Sequence, residues 1–165
     1  MDEAPRAPAA VRRWGRPVAE APCYAALDLG TNNCRLLIAT PTPGGFRVVE
    51  AYSRIVRLGE GLSQSGALSD AAMDRALSAL RVSAEKVRRR KVARFRAIAT
   101  QACRIAANGQ AFVERVAAET GVRLQVITPQ EEARLSVAGC LNLLDRTYEA
   151  ALGLKPGSLE VRRSL

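Results

Sequence analysis

Two apolar stretches, "CYAALDL" (23–29) and "CRLLIAT" (34–40), flank a run of small polar residues, Gly30-Thr31-Asn32-Asn33, and read as two strands around a loop. "PTPGG" (41–45) marks a second turn, and "FRVVEAYSRIVRL" (46–58) a third strand or a bent pair of strands. The period then changes. From Ser69 onward Met73, Ala76, Leu77, Leu80, Ala84 and Val87 recur at helical spacing and form one apolar face. "FRAIAT" (95–100) reads as a short buried strand, and residues 109–119 as a second helix stopped by Gly121. "RLQVITP" (123–129) is the next strand. A third helix follows Thr128, with Ala133, Val137, Leu141 and Leu144 on one stripe.

The order is therefore β-β-β-α-β-α-β-α, an α/β chain in which a three-strand meander precedes alternating helix and strand. That is the ribonuclease-H-like plan, found in each half of actin-like phosphotransfer proteins. A simple Rossmann arrangement would alternate from the start. At 165 residues the chain suits one ordinary domain. Residues 1–22, rich in Pro, Ala and Arg, carry nothing periodic and read as a disordered basic leader ahead of a domain over 23–152.

Composition narrows the chemistry. There is no histidine, which excludes Ser-His, Cys-His and His-metal arrangements and leaves carboxylates, backbone amides, hydroxyls, Arg, Lys or a hard metal ion. The four cysteines, Cys23, Cys34, Cys103 and Cys140, have no C-x-x-C spacing and read as small buried hydrophobes. No apolar run has membrane-spanning length and none opens the chain, so a cytoplasmic address without membrane contact is expected. The net charge of +9 points to an anionic partner or to solubility. Its densest part is "KVRRRKVARFR" (86–96), which reads either as a solvated helix end or as a surface for a polyanion such as polyphosphate. A nucleic-acid face is disfavoured because aromatic residues for base stacking are nearly absent there.

The polar loop after Asp28 admits two readings. It suits a plain hairpin turn. It is also richer in donors than a turn requires: Gly30 lets backbone N–H groups approach an oxyanion, and Thr31, Asn32 and Asn33 add neutral donors suited to phosphate oxygens. Asp28, at the end of a buried strand, needs a partner, and Mg²⁺ or a water held for it would serve. At the head of the third helix, "TPQEEARL" places Thr128 at the N-cap, Pro129 at N1 and Glu131 at N3, predicting a capping box in which Glu131 reaches back to the Thr128 amide. Glu132, rotated by about 100°, is left either to complement the helix dipole or to accept a proton from water.

With "VRLGEGL" (56–62), "ATQACRIAANG" (99–109) and "ITPQEEARL" (127–135) following the loop in order, the chain from about residue 24 to 152 resembles the exopolyphosphatase / guanosine pentaphosphate phosphatase (Ppx/GppA) family of the actin-like ATPase superfamily. The resemblance implies that Asp28-Leu29-Gly30-Thr31-Asn32-Asn33 is the first phosphate-binding segment, with Asn33 where serine is common. It implies that Glu132 is the catalytic base, that Arg104 faces the phosphate, that Arg57 is a weaker candidate, and that Asp28 serves Mg²⁺. The reaction so implied is hydrolysis of a terminal phosphoanhydride of polyphosphate or pppGpp. The family's second glycine-rich loop has no counterpart in "GLKPGSLEVRRSL" (153–165), so the chain reads as a C-terminally incomplete, N-terminal actin-like half with a divergent tail. Two further readings follow: a non-catalytic polyanion-binding module, and a remnant domain completed as a homodimer or by another chain.

Overall fold

The computed structural model describes residues 21–43 and 45–140. The leader up to residue 20, the tail and the predicted stripe positions Leu141 and Leu144 lie outside them. The strands are β1 (Tyr24–Leu29), β2 (Asn33–Thr42), β3 (Gly45–Ile55), β4 (Arg94–Ala99) and β5 (Leu124–Val126). The helices are α1 (Leu62–Ser65), α2 (Asp70–Arg89), α3 (Gln101–Ile105), α4 (Gly109–Thr120) and α5 (Pro129–Cys140). One sheet of order β3-β2-β1-β4-β5 results. Its β1–β2 and β2–β3 pairs are antiparallel, and its β1–β4 and β4–β5 pairs are parallel. The predicted meander and the ribonuclease-H-like plan are both present.

The period of two along each strand decides which face is dry. Ala25, Leu27 and Leu29 of β1, Cys34, Leu36 and Ile38 of β2, and Ala97 and Ala99 of β4 are buried, while the residues between them are less so. Helix α2 covers that face against β2 and meets α4. It buries Met73, Ala76, Leu77, Leu80 and Ala84 as predicted. Phe112 and Val116 of α4 complete the core. Each fully buried Leu or Phe contributes roughly 2 kcal/mol. Ser69 caps α2, its side chain accepting from the Ala72 N–H at 3.3 Å, and Gly121 closes α4 at a φ of 73°. Cys34 and Cys103 are buried, and burial pushes both thiols up to about 11. No helix among the described residues is long and apolar enough to cross a membrane.

The structure corrects three expectations. Strand β2 runs through Pro41 and Thr42, which pair with Phe46 and Gly45, so the turn is shorter than "PTPGG" suggested. Proline is tolerated there because, among the described residues, β1 pairs with β2 only as far as Ala39, so Pro41 lies on a stretch bordered by β3 alone. Residues 62–65 and 101–105 form helices of four and five residues, too short to show a period. Ala133 and Val137 of α5 are exposed, and it is Leu135 that lines a recess against the open face of the sheet.

The basic stretch is partly spoken for. Glu50 of β3 accepts from Lys86 at 2.5 Å, Arg89 at 3.0 Å and Arg90 at 2.7 Å, which holds the end of α2 against the sheet. Hydrogen bonds from Lys86 and Arg90, helped by Arg89, bring the Glu50 carboxyl down to about 2 from an ordinary 4.5. A carboxylate whose pKa is lower in the folded chain stabilises it fully above the unfolded value, and that contribution is lost as pH falls towards 2. Glu50→Gln is therefore expected to lower Tm at pH 7 and to flatten its fall between pH 4.5 and 2. Melting curves across that range check it.

Candidate active site

The site lies where β1 ends. Gly30 donates to the Asn33 carbonyl at 2.9 Å, a tight reversal that sends the chain directly into β2. The loop's own carbonyls are taken from behind: Asn32 accepts from the N–H groups of Val56 and Arg57 at 2.9 and 3.0 Å, and Thr31 accepts from Gly59 at 3.0 Å. A Cβ on Gly59 would come within 2.3 Å of Thr31 Cγ2, so any larger residue there would force the Thr31 side chain to turn. Thr31 and Asn32 are left exposed at the front.

Asp28 stands on the sheet face opposite the helical core, with Arg35 across from it on β2 and Ile98 beside it on β4. Its Oδ1 is buried and has no hydrogen-bond partner. Burial raises its pKa above the ordinary value; attraction to Arg35 opposes this, and repulsion from the Glu132 carboxylate adds to it. The parallel β4 brings its end alongside β1, where the Thr100 N–H bonds the Leu29 carbonyl at 3.2 Å and Gln101 follows.

Glu132 arrives from the other side. Ile127 bonds the Ala99 carbonyl at 3.1 Å, which fixes the entry to α5. The Thr128 hydroxyl accepts from the Glu131 N–H at 3.2 Å, so half of the predicted capping box is formed. The other half is not: the Glu131 carboxylate accepts from Arg134 at 2.9 and 3.0 Å and from Arg96 at 3.3 Å. Bonds from charged guanidinium groups outweigh one neutral amide. They hold the Glu131 carboxyl at about 2, Arg134 contributing most. Glu132 carries no such load. Its Oε2 lies 3.6 Å from Arg104 Nη1, which itself donates to the Ile127 carbonyl at 2.6 Å.

Asp28, the loop 30–33 and Glu132 thus share one recess of about 210 Å³. Arg35, Thr100 and Gln101 complete its wall, three residues the sequence reading missed. The structure sets Arg104 beside Glu132 and outside that wall. Arg57 lies in a left-handed turn at φ 47° and borders a separate recess with Glu60 and Arg75. Among the described residues no three acidic, Cys or His side chains cluster, so the donors available to a cation are the two carboxylates with amide and hydroxyl oxygens around them. With one carboxylate oxygen buried and unpartnered, that set fits Mg²⁺, which takes one or two carboxylates and fills its remaining positions with water or phosphate oxygens.

A sequence model of the Ppx/GppA phosphatase family matches residues 37–161, most of the chain. The chain belongs to the Ppx/GppA phosphatase family. Among solved structures, the Aquifex aeolicus member of that family is 31% identical with a TM-score of 0.70, over 74% of this chain and 40% of its own. An exopolyphosphatase-like protein is 33% identical with a TM-score of 0.71, over 78% of this chain and 39% of its own. An exopolyphosphatase from Cytophaga hutchinsonii is 29% identical with a TM-score of 0.65, over 68% and 36%. This Ppx/GppA chain therefore spans about 40% of the length of the relatives it matches. Glu132 and Arg104 lie inside the residues matched by the family, whereas Asp28 and the loop 30–33 lie just ahead of them.

Proposed function

We propose that the recess binds the terminal phosphate of a phosphoanhydride chain, polyphosphate or pppGpp, and that Glu132 takes a proton from the water that attacks it. The observation that carries this reading is the meeting of the donor loop and Glu132 across one recess, with the unpartnered Asp28 oxygen beside them. Gly30, Thr31, Asn32 and Asn33 supply neutral donors to the phosphoryl oxygens, and Arg35, across from Asp28 on β2, supplies positive charge. Arg104, bonded to the Ile127 carbonyl, keeps the Glu132 carboxylate turned towards the recess. Phosphoryl transfer asks little covalent chemistry of a protein, so positioning and charge neutralisation suffice, and the lack of histidine is no obstacle. Mg²⁺ held by Asp28, when bound, adds positive charge against the phosphoryl oxygens.

The test is phosphate release from long-chain polyphosphate and from pppGpp with and without Mg²⁺, beside calorimetric binding of tripolyphosphate. Mg²⁺-dependent release from either substrate supports the reading; neither release nor binding defeats it. Asp28→Asn gives an independent readout. Mg²⁺ at 100 times its dissociation constant stabilises a folded chain by about 2.7 kcal/mol. Tm of the natural chain is therefore expected to rise with Mg²⁺ and that of Asp28→Asn to stay level, as a thermal-shift titration would record.

A further inference from the structure

Arg75 of α2 hydrogen-bonds the segment behind the phosphate loop, and its three contacts there lie outside the recess itself. Its Nε donates to the Val56 carbonyl at 2.9 Å, and its Nη2 to the Arg57 carbonyl at 3.3 Å and to Glu60 Oε2 at 2.5 Å. The two carbonyls flank the left-handed φ of 47° at Arg57. A long side chain in that conformation is strained, and it persists only where the surroundings over-determine it. The N–H groups of Val56 and Arg57 converge on the single carbonyl of Asn32, and the left-handed turn that follows at Arg57 brings the chain back so that the Gly59 N–H reaches that of Thr31.

We infer that Arg75 is a positioning residue for the phosphate loop, acting through the turn 56–60 and touching no ligand. The chain of contacts is short. The guanidinium pins the turn, the turn's amides fix the carbonyls of Thr31 and Asn32, and those peptide groups set how the loop faces the recess. An exposed Arg–Glu pair by itself contributes little, and Arg75 and Glu60 are 40% and 57% exposed. The weight of the device lies in the planar fork on the two backbone carbonyls, which a lysine's single ammonium cannot reproduce. Glu60 holds the fork's outer edge.

The inference rests on the reading that the loop holds phosphate, and its test separates the two. Amide hydrogen exchange is measured on the full chain and on Arg75→Met and Arg75→Lys, with tripolyphosphate as the binding probe. In Arg75→Met the amides of Val56, Arg57 and Gly59 are expected to exchange at least tenfold faster, with those of β1, β4 and α4 unchanged. Tripolyphosphate binding is expected to weaken about tenfold, and Arg75→Lys to recover part of both. Uniform acceleration of all amides would reduce Arg75 to a general stabiliser and overturn the inference. Unchanged exchange at the three amides would do so as well. If the natural chain binds no tripolyphosphate, the reading of the loop fails while the exchange data still decide the role of Arg75. Should Arg75→Met not fold, Arg75→Lys carries the same comparison, with a smaller local acceleration expected and the same overturning results.

Discussion

Glu132→Gln is expected to lower phosphate release by about 10²- to 10⁴-fold, the contribution of a positioned general base, while leaving the fold intact. Glutamine preserves the shape of the side chain and can still accept from Arg104, but it cannot take a proton from water. The side chain is 40% exposed and its ion pair with Arg104 is long, at 3.6 Å, so loss of the charge costs about 0.5 kcal/mol or less. Substrate affinity should hold, because the donors sit on the loop; the loss belongs in kcat. A second readout is independent of turnover. Repulsion from Glu132 is one of the causes that raise the Asp28 pKa, so Asp28 should titrate lower in the variant. An NMR titration of the Asp28 carboxyl measures this. Release that survives the substitution would remove Glu132 from the chemistry.

The second large effect is on stability. Gly109→Ala places a Cβ 2.0 Å from the Cys103 carbonyl oxygen and 2.9 Å from its carbon, both backbone atoms. No rotamer relieves such a clash, so α3 and α4 must separate at their junction. The cost is roughly 3 kcal/mol, the upper range for overpacking, and a drop in Tm of about 10 °C follows for a domain of this size. The neighbouring Asn108 would be dragged along, and its side chain holds Leu68 by both its N–H, at 2.8 Å, and its carbonyl, at 2.9 Å. Melting curves of the single variant suffice; a Tm within a degree or two of the natural chain would mean that the helix junction yields easily.

What the sequence could and could not disclose follows from how local each signal is. The meander, the apolar stripe of α2, the Gly121 stop and the Ser69 cap are written within a few residues of where they act, and all are present. Helices α1 and α3 are shorter than the window in which a period becomes visible. In the site, Asp28, the loop and Glu132 announce themselves by residue type beside a strand end or a helix start. Arg35, Thr100 and Gln101 do not, because topology delivers them. Arg35 faces Asp28 through the antiparallel register of β1 and β2. That partner was within reach of a hairpin count outward from the loop. Thr100 and Gln101 depend on the parallel pairing of β1 with β4, which joins residues some 70 positions apart and leaves no local trace. Glu131 shows the reverse error: a correct cap motif whose side chain was claimed by Arg96 and Arg134, one distant and one near, both stronger donors than an amide.

Strand β2 starts at the recess with Asn33 and ends at Thr42, a run of ten residues. At about 3.3 Å per residue it carries the β2–β3 turn roughly 30 Å from the recess. That turn is a natural place for a handle. A fluorophore, an affinity tag or a surface tether attached there would be separated from the recess by the whole height of the sheet, and the molecule could be immobilised or tracked with the recess turned outward.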